Sequence, residues 1–147
     1  MAMIEKYEDL KCWKQSRELV NQVYELISNP SMKKEFALTD QLKRAAISVM
    51  TNIAEGFSRY HKKDFIRFLD YAQSSAQEVK SLLYIVSDRK MLSPEEVHEI
   101  QNNCEHCSAM ILSLIRYINN SLGSTNQANE PEVLYLSDEH YIESQTG

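Results

Sequence analysis

The sequence predicts an all-α protein, an antiparallel up-down-up-down four-helix bundle followed by a non-helical acidic C-terminal tail. The chain has 147 residues, enough for one domain with one core. It contains only three Gly and three Pro, too few for the many turns of an all-β fold. Four stretches of about 20 residues or more repeat apolar side chains with the period of an amphipathic helix.

Local signals bound the first two helices. Helix one is expected to begin near Leu10 and to end just before Pro30, because the residue that precedes a proline disfavours helical geometry. A loop of roughly eight residues is expected next. Thr39 is the expected N-cap of helix two, with Asp40 in the first turn, where the helix dipole favours an acid. Gly56 is the expected end signal.

Helices three and four have one strong boundary signal between them. Helix three is expected to begin at residue 62 or 63. Ser93 fits an N-cap, Pro94 the first helical position, and Glu96 the third position of a capping box, so helix four is expected to begin here. Gly123 is expected to end it. The short connections on both sides of helix three make neighbouring helices antiparallel, so residues 1–122 are expected to form the bundle.

Charge separates the bundle from the tail. Residues 1–122 hold all 16 Lys and Arg and 16 of the 21 Asp and Glu, so this part is formally neutral. Residues 123–147 hold the other five acids and no Lys or Arg. The tail begins with GSTNQANEPE, a linker composition, and continues with VLYLSDEHYIESQ, which contains apolar side chains. We expect it to be flexible or loosely docked.

Several classes of protein are disfavoured. No apolar run approaches the roughly 20 residues that span a bilayer, and the first residues lack the apolar core of a signal peptide, so we expect a cytoplasmic protein that does not bind membranes. Three cysteines in such a compartment imply no disulfide framework. Cys104 and Cys107 supply at most half of a structural zinc site, and because both fall on the apolar face of helix four we interpret them as core residues.

Catalytic chemistry is also disfavoured. A di-metal carboxylate site in a bundle needs Glu-x-x-His motifs from two helices, and the sequence does not contain such a pair. No acid–base or nucleophile–base constellation can be named. We therefore predict a protein that is not an enzyme and uses no metal or cofactor.

A polar row on helix two suggests a contact surface. Its residues step by three or four positions and continue on helix three; the predicted polar seam is Gln41, Arg44, Ser48, Asn52, Glu55, Ser75 and Glu78. Short side chains such as Ser48 and Asn52 are poor helix formers on a solvated face and suit a half-buried seam in which each finds a partner. We predict that Arg44 pairs with Glu78 and that Asn52 bonds to Ser75. A solvated face, a subunit contact and a ligand pocket remain open as alternatives.

A basic cluster at the turn between helices two and three provides the second hypothesis. Its predicted contact residues are Arg59, Tyr60, Lys62, Lys63 and Arg67. A tyrosine can stack on bases while cations meet phosphates, so the cluster predicts binding of RNA or DNA. A solvated loop is the alternative, and a neutral domain with an acidic tail weakens the attraction. The acidic tail is itself a candidate occupant of this cluster.

Aromatic residues on and before helix one leave a partner protein open. Tyr7, Trp13 and Tyr24 are residues of the kind that anchor interfaces, and core packing explains them equally well.

Three segments of the chain resemble the four-helix bundle family encoded within intervening sequences of bacterial 23S rRNA genes. They are DLKCWKQSRELV, LTDQLKRAAISVMTNIAEGFSR and DFIRFLDYAQSSAQEVKSLL. The matching positions are Asp9, Leu10 and Trp13; Gln41, Leu42, Arg44, Ala45 and Ala46; Asn52 through Gly56; and Phe68, Leu69, Ala72, Ser75 and Glu78. The resemblance covers roughly residues 7–120.

This resemblance implies a bundle that assembles as a ring-like homopentamer and has no settled biochemical activity. A related accessory protein of diversity-generating retroelements is similar in fold and binds nucleic acid and a reverse transcriptase. That relative is strongly basic, whereas the bundle here is formally neutral. The resemblance therefore favours a self-assembling module over a nucleic-acid-binding one.

Overall fold

The computed structural model describes residues 4–124 and confirms the predicted all-α four-helix bundle. Helix α1 spans Lys11–Ile27, α2 spans Phe36–Phe57, α3 spans Lys62–Asp88 and α4 spans Pro94–Ser124. Short 3-10 turns at Tyr7–Asp9 and Pro30–Met32 precede α1 and α2. The expected tail lies, from residue 125 onward, outside the described residues.

The helices form a closed square in which α1 packs on α2 and α4, and α3 packs on the same two neighbours. Hydrogen bonds between α3 and α4 show that neighbours are antiparallel. Lys62 at the start of α3 reaches Ser121 near the end of α4, and Gln73 further along α3 reaches Ser108. One end of the bundle therefore holds the α2–α3 turn together with the end of α4.

The core consists of the apolar positions whose spacing predicted the helices. Its fully buried members include Leu19, Val23, Leu42, Val49, Ile53, Leu69, Val79, Leu83, Ile111 and Ile118, each 0% exposed. Burying one such side chain contributes about 1.5–3 kcal/mol. The amphipathic pattern of each helix is therefore sufficient to explain which of its faces points inward.

The predicted start of α2 is wrong. The helix begins at Phe36 and Thr39 is its fourth residue, where the Thr39 backbone N–H donates to the Glu35 carbonyl at 2.9 Å. The Thr39 hydroxyl donates to the Phe36 carbonyl within the helix, at 3.2 Å, and so caps nothing. The connection, residues 28–35, has the predicted length of about eight residues, and the buried Met32, 1% exposed, attaches it to the core.

The Ser93 N-cap before α4 is confirmed, whereas the Glu96 side chain bonds to the Ser93 hydroxyl and not to the Ser93 backbone N–H that a full capping box uses. Ser93 Oγ accepts a hydrogen bond from the Glu96 backbone N–H at 3.2 Å and donates to Glu96 Oε1 at 3.0 Å. These bonds satisfy one otherwise unpaired N–H at the helix start. Gly123, expected to end α4, lies inside its last turn, and the helix ends at Ser124.

Gly56 permits a close approach of α2 to α3. A Cβ atom at this position would lie 2.7 Å from Phe68 Cβ, 3.2 Å from Phe65 Cδ1 and 3.3 Å from the Phe65 carbonyl oxygen. Two of these neighbours are a backbone atom and a Cβ atom, which cannot rotate away. The absence of a side chain at Gly56 therefore sets the separation of α2 and α3 beside their connecting turn.

We expect Gly56→Ala to lower the free energy of unfolding by about 1–2 kcal/mol, because over-packing typically costs about 1–3 kcal/mol and exceeds the gain of about 1 kcal/mol in helix propensity. Urea denaturation followed by circular dichroism measures the change. Gly123→Ala is the matched control: its Cβ would meet nothing within 4 Å, so stability should stay equal or rise. Equal stability of Gly56→Ala and the wild type would show that the close approach is not a constraint.

Candidate binding surfaces on helices α2 and α3

Three short polar side chains form the centre of the polar seam. Ser75 Oγ donates to Ser48 Oγ at 2.9 Å across the two helices, and Asn52 Nδ2 donates to both the hydroxyl and the carbonyl of Ser48 at 2.8 Å. All three residues are half-buried. The predicted direct bond from Asn52 to Ser75 is wrong, because Ser48 lies between them one turn before Asn52.

The charged residues of the seam do not pair as predicted. Arg44 Nε lies 2.8 Å from Asp40 Oδ2, and 80% of the Arg44 side chain is exposed. The predicted Arg44–Glu78 pair is thus replaced by a pair within α2, which needs no reach across the groove. Glu78 instead accepts a hydrogen bond from Gln41 Nε2 at 3.2 Å.

Glu55 is also satisfied within its own helix. Its Oε1 lies 3.2 Å from Arg59 Nη2, and both side chains are about half exposed, at 54% and 45%. Such exposed pairs contribute at most about 1 kcal/mol. The predicted row is therefore an interhelical seam only at Gln41, Ser48, Asn52, Ser75 and Glu78, with Arg44 and Glu55 facing solvent.

Apolar side chains continue this surface along α3. The residues Tyr71, Ser75, Glu78, Leu82 and Ile85 step by three or four positions and therefore lie along one side of the helix. Tyr71 is 51% exposed and Ile85 is 44% exposed. We call the surface formed by the interhelical seam residues with Tyr71, Leu82 and Ile85 the α2–α3 face.

A second surface lies at the α2–α3 turn. Arg59 Cζ lies 4.8 Å from the ring centre of Phe68, and Arg67 Cζ lies 5.6 Å from the same ring, both within cation–π range. Tyr60 is 78% exposed, and Lys63 is also exposed. We call Arg59, Tyr60, Lys63, Arg67 and Phe68 the turn patch.

The structure removes Lys62 from the predicted nucleic-acid contacts. Its side chain is only 8% exposed, and Nζ donates to Ser121 Oγ of α4 at 3.4 Å. Lys62 stands three and seven residues before the buried Phe65 and Leu69, so the helical period places it on the inward face. The two arginines remain at the surface, where Arg67 also pairs with Asp64 at 3.3 Å.

The aromatic residues of the first helix region have different roles. Tyr7 lies 5.4 Å from Trp13 and 6.5 Å from Phe57, and Phe57 lies 6.0 Å from Phe65, measured between ring centres. Trp13 is buried, and the half-buried Tyr7 packs against the core, so both contribute to the packing of the bundle. Tyr24 is 48% exposed and remains a surface aromatic.

The sequence analysis missed a set of buried polar contacts made by α4. Asn103 is 8% exposed; its amide oxygen accepts from Gln15, and its Nδ2 donates to Gln22 Oε1 at 2.6 Å. Ser108 is 4% exposed and accepts from Gln73 at 2.9 Å. The only sequence signal for these contacts is an amide or hydroxyl at positions where the period of α4 expects apolar residues.

The three cysteines are buried thiols. Cys12 is 3% exposed, and Cys104 and Cys107 are each 0% exposed. Burial raises the pKa of each thiol to about 12, so all three are protonated near neutral pH. Within residues 4–124, no three or more His, Cys, Asp and Glu side chains are grouped to hold a metal ion.

This burial predicts a loss of stability in alkaline solution. The pKa of each thiol is higher in the folded chain than its unfolded value of about 8.5, so its contribution to stability is complete below that pH and is lost as pH rises toward about 12. Each thiol should therefore lower the free energy of unfolding by about 1.4 kcal/mol per pH unit above about pH 8.5.

Urea unfolding at a series of pH values between about 8 and 10 tests this expectation. Cys104→Ala should lose less stability over that interval than the wild type, because it has two buried thiols that must lose a proton instead of three. An identical pH dependence in both proteins would show that Cys104 titrates no differently when folded.

The fold and its surfaces define a class of protein: a small helical bundle whose distinctive chemistry lies on exposed helix faces. A sequence model of the family described as 23S rRNA-intervening sequence protein matches residues 8–113. The chain therefore belongs to the 23S rRNA-intervening sequence protein family. None of the curated proteins matches it.

A solved structure supports the same fold. It is described as a protein with unknown function from the S23 ribosomal protein family, from Bacteroides thetaiotaomicron VPI-5482. The two chains share 24% sequence identity with a TM-score of 0.66, over 71% of this chain and 98% of the other. At this identity the similarity shows the fold alone. Across residues 4–124, no helix combines the length and apolar character required to cross a membrane.

Proposed function

We propose that the chain is a non-enzymatic, cytoplasmic, self-assembling bundle that acts as an assembly or binding module and that associates through its α2–α3 face. The observation that carries this proposal is the exposure of Tyr71 and Ile85, at 51% and 44%, beside the seam. Both helices already bury a complete apolar stripe in the bundle core, so these two side chains are not needed to hold the monomer together.

The composition of the face supports a protein contact. Aromatic residues are enriched at protein–protein interfaces, and apolar side chains with nearby hydrogen-bonding groups are typical of their centres. Ser48 and Ser75 are small, so a partner can approach the groove between α2 and α3 closely. Gln41 and Glu78 place polar atoms at the surface next to them.

The number of subunits in the assembly is proposed from the family resemblance, which implies a ring of five copies. A closed ring with an odd number of copies uses heterologous contacts, in which two different faces of the subunit meet. Tyr24 on α1 and Ile47 on α2 are exposed by 48% and 38% and supply apolar side chains for a second face.

Sedimentation velocity of the full chain tests the assembly. We expect the wild type to sediment as an oligomer and Tyr71→Arg to shift it toward the monomer, because a cation would have to be desolvated within the contact. Truncating a central interface aromatic typically costs 2 kcal/mol or more, about a 30-fold loss in affinity.

Tyr84→Arg is the matched control. Tyr84 is the same residue type on the same helix and is equally exposed, at 53%, but it lies on the α4 side of α3. This variant should assemble like the wild type. A monomeric wild type, or equal dissociation in the two variants, would contradict assembly through the α2–α3 face.

Binding of nucleic acid is the second candidate function, favoured by one observation. Arg59 and Arg67 both lie over the ring of the half-buried Phe68, and Tyr60 is 78% exposed. Cations beside aromatic rings are the combination that binds single-stranded nucleic acids. The accompanying acids Glu55 and Asp64 reduce the net charge of this surface.

A salt titration of binding to single-stranded RNA and DNA tests this candidate. If the turn patch binds, the double variant Arg59→Gln/Arg67→Gln should bind more weakly and with a salt slope reduced by about 1.4, since each lost phosphate contact removes about 0.7 for a single strand. Lys62→Gln is the control and should keep the wild-type slope, because Lys62 is buried. If binding is absent, or does not change with salt, nucleic-acid binding by the turn patch is contradicted.

A further inference from the structure

The end of α4 brings the following chain close to the turn patch. Ser121, three residues before the helix ends at Ser124, accepts a hydrogen bond from Lys62 Nζ at 3.4 Å. Lys62 and the adjacent Lys63 begin α3 directly after the turn. Residue 125 therefore follows α4 at the end of the bundle that presents the turn patch.

The two regions have complementary charge. Residues 59–67 contain four Lys or Arg and one acid, whereas residues 125–147 contain five acids and no Lys or Arg. The exposed cations of the patch are Arg59, Lys63 and Arg67, since Lys62 is turned inward. Arg59 and Arg67 already pair with Glu55 and Asp64, which leaves the patch with a small excess of positive charge. Opposite charges that are already tethered to each other attract at a high effective concentration.

The two regions also have complementary apolar chemistry. The patch includes the side chain of Phe68 and the 78% exposed ring of Tyr60. The segment 125–147 contains Tyr135 and Tyr141 close to its acids. A chain extends at most about 3.3–3.6 Å per residue, so the first acid, Glu130, can lie about 20 Å from Ser124 and the rest of the segment can reach further.

We propose that residues 125–147 bind the turn patch of the same chain, with their acids facing Arg59, Lys63 and Arg67 and their aromatic rings facing Tyr60 and Phe68. The segment then occupies the surface that any anionic partner would contact.

Carbodiimide cross-linking of the full chain, read by mass spectrometry, tests the proposal because it joins a lysine amine to a carboxylate that lies against it. Lys63 is the exposed amine of the turn patch. Lys33 and Lys34 are exposed amines at the opposite end of the bundle and serve as internal controls. We expect Lys63 to be joined to the acids of residues 125–147 and the two controls to be joined to them far less.

Two perturbations test whether the cross-links at Lys63 depend on the charge of the turn patch. The yield at Lys63 should fall in Arg59→Gln/Arg67→Gln, and also at about 1 M salt, where the Debye length is about 3 Å. Arg44→Gln/Arg89→Gln is the matched control, since it removes two exposed arginines from the opposite end of the bundle. Its yield at Lys63 should equal that of the wild type.

A mixture of isotopically heavy and light chains decides which copy the segment binds. Cross-links within one isotope support binding to the same chain, and predominantly mixed cross-links would contradict it. Equal yields at Lys63 and at the control lysines, or an unchanged yield in Arg59→Gln/Arg67→Gln, would overturn the proposal. None of these outcomes depends on whether Tyr71→Arg alters the oligomeric state.

Discussion

Helices α2 and α3 lie in close contact where Gly56 faces Phe65 and Phe68, and the candidate surfaces depend on that contact. Without a side chain at Gly56, the backbone of α2 lies against the Phe68 side chain of α3. This separation is small enough for two serine hydroxyls, at Ser48 and Ser75, to meet across the helices at 2.9 Å. The same approach leaves the Phe68 ring between the guanidinium groups of Arg59 and Arg67.

Helix α4 contacts its neighbours through buried polar side chains as well as through apolar packing. Its inward face carries amides and hydroxyls that bond to α1 and α3, including Asn103 and Ser108. A buried polar group costs about 1–3 kcal/mol when it loses its partner, so sliding α4 along its neighbours would be unfavourable. These contacts therefore restrict the register of α4 more strictly than apolar packing does.

Most of the ion pairs within residues 4–124 join side chains that are three or four positions apart in the sequence. Arg44, Arg59 and Arg67 each pair with an acid three or four residues earlier on the helix or the adjoining turn. Within residues 4–124, Lys80 pairs across a long sequence separation: its Nζ lies 2.7 Å from Glu105 of α4, and this hydrogen bond raises the pKa of Lys80. Local pairing leaves the α2–α3 face with little net charge, which suits contact with another protein surface.

The amino-acid sequence by itself determined the helices, their antiparallel order and most of their inward faces, because each follows from apolar periodicity and from local signals such as the Ser93 N-cap. It also placed the thiols of Cys104 and Cys107 correctly in the core. The start of α2 was predicted wrongly, because Thr39, a residue typical of N-caps, lies inside the helix and its hydroxyl donates to the Phe36 carbonyl. Only the tertiary structure decided which polar side chains are in contact. Arg44 pairs with Asp40 and not with Glu78, and Ser48 hydrogen-bonds to both Asn52 and Ser75. Lys62 is buried. Periodicity gives the direction of a side chain around its own helix, whereas a hydrogen bond depends on the distance to another helix, and that distance is set by packing.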